Sequence, residues 1–168
     1  MKKIAIFYGS NSGNTKTVAA SIQEKLNGND VELIDVAKAK TEDIDRFNNL
    51  ILGTSTWGVG DLQDDWEVFL PVLAKANLGG KVIALFGLGD ASTYADSFVD
   101  GMGVIYDAIK DKGCKIVGTV KTEGYSFDAS KAEKNGSFVG LPIDEDNDAN
   151  LTDSRLENWI VQITNEFK

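Results

Sequence analysis

Three stretches of this 168-residue chain carry side chains that could do chemistry, and none contains a histidine. The first is Gly9-Ser10-Asn11-Ser12-Gly13-Asn14-Thr15: two glycines, three hydroxyls and two asparagines, with no lysine or arginine among them. Donors at that density, placed where a helix begins, suit a phosphate. The first N–H groups of a helix lack internal partners, and its dipole puts partial positive charge there. Any phosphate in this loop would be held by neutral donors. It is not a Walker A loop, which needs Gly-Lys where Asn14-Thr15 stands, nor a G-x-G-x-x-G turn. An ordinary strand–helix connection, which uses Gly and Ser because turns do, fits the same residues. The other two stretches are Thr54-Ser55-Thr56-Trp57-Gly58-Val59-Gly60-Asp61 and Leu88-Gly89-Asp90-Ala91-Ser92-Thr93-Tyr94-Ala95-Asp96-Ser97. Each sets one large aromatic among small, flexible residues. Trp57 and Tyr94 could sandwich a flat ring, at roughly 0.5–1.5 kcal/mol each beyond area burial, or could pack singly into the core.

What the chain lacks narrows the chemistry. There is no histidine, which removes the commonest general base, the commonest metal ligand and every Ser-His or Cys-His nucleophile. A carrier of a bound cofactor fits this set better than an enzyme built on acid–base steps. The formal charge of −9 argues against nucleic acid and anionic membranes, which need basic surface, and favours a partner with a basic docking face. Cys114 is the single cysteine, so no internal disulfide can form. It heads the apolar run Lys115 to Val120 and reads as a structural thiol in a reducing compartment. No apolar run approaches the ~18 residues of a membrane span. Met1-Lys2-Lys3 opens no signal-peptide pattern, so a cytoplasmic protein is expected. The carboxylates of Asp144-Glu145-Asp146-Asn147-Asp148 alternate as in a calcium loop. Ala149 and Arg155, however, stand where that loop needs Gly and Glu, so a solvated turn and no metal site are expected.

The three loops need a frame that delivers them to one place. Lys3 to Tyr8 has the length and character of a buried parallel strand, and Thr15, Val18, Ala19, Ile22 and Leu26 recur at helical spacing. Further strands are expected at 31–36, 49–53, 81–87 and 115–120, with one or two helical turns at 41–46. Helical stripes run through Trp66, Phe69, Leu70 and Leu73, through Phe98, Met102, Ile105 and Ile109, and through Leu156, Trp159, Ile160, Ile163 and Phe167. Pro71 is expected to kink its helix, and Thr152 to cap the last one, with Leu151 and Leu156 as a staple. Strict alternation of strands and helices means a single doubly wound α/β domain over 1–168, a parallel sheet with helices on both faces. Ligands bind such sheets beyond the C-terminal strand ends, and the three loops follow strands one, three and four. They should converge. Residues 121–151 break the rhythm, about thirty of them where roughly two to six usually suffice. They carry Tyr125, Phe127, Phe138, Val139 and Leu141, so a structured excursion is expected, with the fifth strand resuming at Phe138 to Leu141.

Taken in order, Ser10-x-Ser12-Gly13-x-Thr15, Thr54-x-Thr56-Trp57-Gly58, Gly87-Leu88-Gly89-Asp90 with Tyr94, and Asp144-Glu145-Asp146-Asn147 resemble the flavodoxins over essentially the whole chain. The excursion, about 121–143, is similar to the insertion of their long-chain group. The resemblance, rather than periodicity, implies a five-stranded sheet of order 2-1-3-4-5, its fifth strand interrupted by the insertion, with FMN at the switch point. The same resemblance implies that FMN is bound non-covalently, its phosphate on Ser10, Asn11, Ser12, Gly13, Asn14 and Thr15. The ring would lie between Trp57 and Tyr94. Thr54, Ser55, Thr56, Gly58, Val59, Gly60, Leu88 and Gly89 would line its polar edge, Asp90 would be a close contact, and Asp146 would sit near the ribityl chain. Ser97 stands where the family often has Asn, and Ser10 and Ser12 where it commonly has Thr.

The function so implied is a monomeric, low-potential one-electron carrier with no catalytic residues. It would shuttle electrons between redox enzymes with basic docking surfaces, such as ferredoxin–NADP reductase, nitrogenase or other reductases. Asp61, Asp64, Asp65, Asp90, Asp96 and Asp100 flank the ring-side loops. A carboxylate about 10 Å from the flavin would disfavour an added electron by roughly 1–2 kcal/mol at an effective dielectric of about 20. Gly58 would let the following peptide rotate toward flavin N5 in the semiquinone, a movement glycine makes sterically cheap. The rival is an FMN-dependent quinone or nitro reductase on the same fold, for which a tight aromatic sandwich leaves little room. A receiver domain is excluded, because Gly9-Ser10 and Gly53-Thr54 stand where it needs carboxylates.

Overall fold

A computed structural model describes residues 1–168. In chain order the elements are β1 (Lys3–Tyr8), α1 (Asn14–Lys25), β2 (Asp30–Asp35), α2 (Thr41–Asp45), β3 (Asn49–Trp57), β4 (Asp61–Leu62), α3 (Asp64–Lys75) and β5 (Val82–Leu88). There follow α4 (Asp100–Ile109), β6 (Lys115–Val117), β7 (Val120–Lys121), β8 (Glu133–Lys134), β9 (Ser137–Phe138), β10 (Leu141–Ile143) and α5 (Thr152–Thr164). β1 lies between β2 and β3, and β3 between β1 and β5, all parallel. The outer edge of β5 is shared: β6 pairs with Val82–Ala84 and β10 with Phe86–Leu88. This is the expected order 2-1-3-4-5, with the fifth strand in two pieces.

Side-chain alternation along the strands builds two cores. Ile4, Ile6, Tyr8, Ile51, Ala84 and Phe86 face α1 and α5, packing on Val18, Ile22, Leu156, Trp159 and Ile163. Ala5, Phe7, Leu50, Leu52, Ile83 and Leu85 face α3 and α4, packing on Trp66, Phe69, Leu73, Met102 and Ile105. The strands are apolar on both faces because helices cover both.

Several boundaries depart from the sequence expectation. β3 continues past Gly53 to Trp57, since Thr54 and Ser55 extend the ladder onto Gly87 and Leu88. Thr56 and Trp57 then pair antiparallel with Leu62 and Asp61. The turn between is made by Gly58 and Gly60, at φ 52° and 89°. Trp57 therefore sits on a hairpin and not in an open loop. α4 starts at Asp100 and not at Phe98, because Phe98 is extended and Val99 is left-handed at φ 49°. Thr152 is the first helical residue of α5 and caps nothing: a 3-10 turn at Ala149–Leu151 puts Leu151 in the cap position, with no side-chain bond. The staple spacing is lost with it. α3 runs through Pro71 without interruption.

The fifth strand stops at Val117, where Gly118 (φ 82°) turns the chain outward. β7, β9 and β8 form a small antiparallel sheet, and the strand resumes at Leu141, whereas Phe138 belongs to β9. The excursion has its own aromatic core. Phe138 packs on Phe127, Tyr125 and Phe98 at centroid distances of 5.0, 5.2 and 5.9 Å. Burial pushes the Tyr125 hydroxyl up to about 12 while it donates to the Pro142 carbonyl at 2.9 Å.

The same segment is bonded to the 3-10 turn Ala95–Ser97 that leads into α4 and to the first residue of α4. Asp128 and Ala129 N–H groups donate to Ala95 O at 2.8 and 3.0 Å, and Lys131 N–H donates to Asp100 Oδ1 at 2.7 Å. Gly103 completes the joint. A Cβ there would lie 2.5 Å from the Lys131 carbonyl oxygen and 2.6 Å from the Ala132 nitrogen. Alanine normally improves a helix interior over glycine. Gly103→Ala should instead destabilise by about 1–3 kcal/mol through overpacking, measured by urea unfolding. Equal or greater stability would show that the excursion does not press on α4.

Candidate functional site

The C-terminal ends of β1, β3 and β5 bring the three loops to one edge. The Gly9 N–H donates to Gly53 O at 3.2 Å, and the Ala91 N–H donates to Asp144 Oδ2 at 3.1 Å. Between the loops lies a cleft of about 370 Å³ lined by Ser12, Asn14, Thr15, Ser55, Thr56, Trp57, Gly58, Leu88, Gly89, Asp90, Tyr94, Glu145 and Asp146. A wider groove of about 640 Å³, between β4, α3 and α4, shares only Gly60 with the expected residues and carries no comparable set of donors.

At one end of the cleft, α1 begins at Asn14 behind left-handed Gly13 (φ 96°), with no side chain capping it. Its first N–H groups are thus free for an anion, and no acidic residue stands in its first turn. Ser10 Oγ accepts from the Gly13 N–H at 3.0 Å, so that hydroxyl shapes the loop. At the other end Trp57 and Tyr94 are 40% and 42% exposed, large for aromatics of this chain, whose other tryptophans are buried. Ser55 Oγ is buried yet has no hydrogen-bond partner. An orphaned hydroxyl on a cleft wall fits a ligand that supplies the missing partner.

Of the expected residues, some lie outside the lining. Thr54 is fully buried, its hydroxyl donating to Ser55 O at 2.9 Å. Ser97 is buried beneath Gly60, where a Cβ would meet the Ser97 Cβ at 3.3 Å and Asp100 Oδ2 at 2.6 Å. Val59 points away, 83% exposed. Asn11 accepts from Gln63 Nε2 at 2.7 Å.

Glu145 lines the cleft although its motif assigned a site role only to the neighbouring Asp146; its signal was that adjacency. Asp144 and Asn147, part of the same motif but without an expected role, fix the third loop. Asp144, 1% exposed, accepts from Ala91 and Asn147 backbone N–H groups, and Asn147 Nδ2 donates to Asp90 Oδ1 at 2.9 Å. Asp90 is consequently held below the ordinary carboxylate value, first by the Thr93 N–H and then by Asn147. Asp146 is pushed the other way, by burial and then by Asp90, Asp144 and Glu145. Two carboxylates on one rim are driven apart because one is bonded and the other crowded.

A doubly wound sheet with a cleft at its switch point, neutral donors at one end and two half-exposed aromatics at the other, is the architecture of a small-ligand-binding α/β protein, with a cleft suited to a planar group carrying an anionic tail. Comparison with known proteins narrows the class. The flavodoxin family model matches residues 6–159. The chain is 47% identical over 167 residues to a flavodoxin of Helicobacter pylori, covering 99% of each chain. It is 46% identical over 164 residues to one of Synechocystis sp., covering 97% of this chain and 96% of that one. It also superposes with a TM-score of 0.95, at 37% identity and full coverage of both chains, on a crystal structure of Fusobacterium nucleatum flavodoxin bound to flavin mononucleotide. The chain belongs to the flavodoxin family and is an electron-transfer protein rather than an enzyme. No helix is long and apolar enough to cross a membrane.

A lowered Asp90 contributes stability above the ordinary carboxylate range and loses it as pH falls through the depressed value. Asn147→Ala should raise the Asp90 titration midpoint, followed by NMR, and shrink the stability gained between acid and neutral pH. An unmoved midpoint would show that Asn147 does not hold the loop.

Proposed function

We propose that this chain binds FMN non-covalently and carries electrons singly between redox enzymes. The observation that supports it most is the convergence of the uncapped α1 N-terminus, the orphaned Ser55 hydroxyl and the half-exposed Trp57 and Tyr94 on one cleft. These residues fit the group. Ser12, Asn14 and Thr15 with the α1 N–H groups would hold its phosphate, Ser55 would satisfy a polar atom, and the two aromatics would flank its ring. Bound FMN supplies a ring that takes up and releases one electron at a time.

The protein's part is electrostatic. No cation stands in the phosphate loop, and Asp90, Glu145 and Asp146 line the same cleft. Both features oppose added negative charge there and favour a low potential. Trp57 and Tyr94 shield the cleft faces while leaving part of each ring at the surface, where a partner could approach. With a net charge of −9, the partners we propose have basic docking faces, as in ferredoxin–NADP reductase-like, nitrogenase-like or other reductases, and electrostatic steering would govern their encounter. The free thiol of Cys114, which burial makes less acidic, suits a reducing cytoplasm.

Gel filtration of the purified protein should retain flavin absorption bands with one FMN per chain, and Trp57→Ala should weaken FMN about tenfold or more through lost stacking and burial. A colourless protein that takes up no added FMN would refute the reading. Steady NADH oxidation by the isolated protein would move it toward a reductase. Gly58→Ala, which places a side chain at φ 52°, should alter the spacing of the two one-electron midpoints in a redox titration. Unchanged midpoints would remove Gly58 from redox tuning.

A further inference from the structure

Gln63 is fully buried and uses both ends of its amide. Its Oε1 accepts the Trp66 backbone N–H at 3.1 Å and so caps α3. That bond sets which way the amide faces, leaving Nε2 to donate to Asn11 Oδ1 at 2.7 Å and to Asp65 Oδ2 at 2.8 Å. Asn11 lies in the 9–15 loop, 52 positions away. Directly before Gln63 comes β4, whose Asp61 pairs with Trp57. One side chain thus ties the anion end of the cleft to the hairpin that carries its aromatic end. Gly9 leaves room for this contact: a Cβ there would collide with Gln63 Oε1 and lie 2.7 Å from Trp66 Cδ1.

The tie matters because the loop has no cation. A lysine can find a phosphate from many positions, whereas neutral donors must already converge on one point. The affinity of such a loop depends on how much of its ordering is done before the ligand arrives. We propose that Gln63 is a positioning residue for anion binding, holding the 9–15 loop through Asn11 in its phosphate-accepting shape. The proposal rests on the phosphate reading of that loop given above.

The test compares wild type with full-length Gln63→Met, which matches the length and removes the amide, and with Gln63→Glu. The latter keeps an acceptor for the Trp66 N–H and serves if the first variant fails to fold. Dissociation constants for FMN and for riboflavin, which lacks the phosphate, are read by flavin fluorescence. Amide hydrogen exchange at residues 10–13 is read on protein without flavin. The expected result is FMN affinity weakened about tenfold, as for one lost hydrogen bond, with riboflavin affinity changed less than about twofold and exchange at 10–13 accelerated. In an Asn11→Ala background the Gln63→Met effect on FMN should largely vanish. Equal weakening of both flavins would overturn the proposal in favour of a purely structural cap, and so would unchanged FMN affinity. If wild type bound neither flavin, the functional reading would fail, while exchange at 10–13 would still decide the tie; unchanged rates there would overturn it.

Discussion

The carbonyl of Gly53 accepts two hydrogen bonds, from the Gly9 N–H at 3.2 Å and from the buried Trp66 indole at 2.8 Å, and the site depends on that junction. Up to Tyr8 and Gly53 the strands β1 and β3 are partners. Beyond them β1 turns into α1 while β3 runs on to Trp57, and the cleft is the space between the diverging chains. A buried carbonyl left unpaired at this point would cost about 1–3 kcal/mol, so the branching is held as firmly as a ladder bond. Gly53 cannot carry a side chain, because the Phe86 ring occupies the position of its Cβ.

From this junction the two ends of the cleft acquire opposite electrical characters. The α1 end offers oriented N–H groups and hydroxyls, partial positive charge without a proton or a cation. The other rim is carboxylate-rich, with Asp90 stabilised as an anion by Thr93 and Asn147 and Asp146 crowded by its neighbours. In the proposed reading an anionic tail would be accepted at one end, and further negative charge resisted at the other. A chain with no histidine builds this field from backbone N–H groups, hydroxyls and carboxylates alone.

The interrupted fifth strand belongs to the same design. Since β6 and β10 divide the edge of β5 between them, the excursion leaves and rejoins the sheet without removing a strand from it. The rejoining piece delivers Asp144 to Asn147 to the cleft, where Asp144 bonds Ala91. On its outward path the segment presses on the start of α4 through Lys131 and Asp100, beside left-handed Val99. A β-branched residue in that conformation persists only where its surroundings over-determine it, and bonds on both sides do so here.

Local pattern and residue chemistry determined much of this protein. Periodicity placed the central strands, both helical layers and the three loops, because burial on one or two faces imposes a repeat that a single segment displays by itself. The same loops carried residues compatible with a ligand, glycine, hydroxyl and amide without cation in one and a single aromatic in each of the others, but an ordinary turn and core packing fitted them equally until the fold brought them to one edge. Tertiary contacts decided the remainder. Trp57 became part of a hairpin only because Asp61 returns to pair with it and Leu62 with Thr56, and Thr152 lost its cap to a turn formed just upstream. Glu145, Asp144 and Asn147 gained their roles from the path of β10, and Gln63 from a partner 52 positions away. A hydrogen bond to a distant residue leaves no periodic trace in the chain, since its energy depends on where the fold sets the two ends and not on what lies beside them.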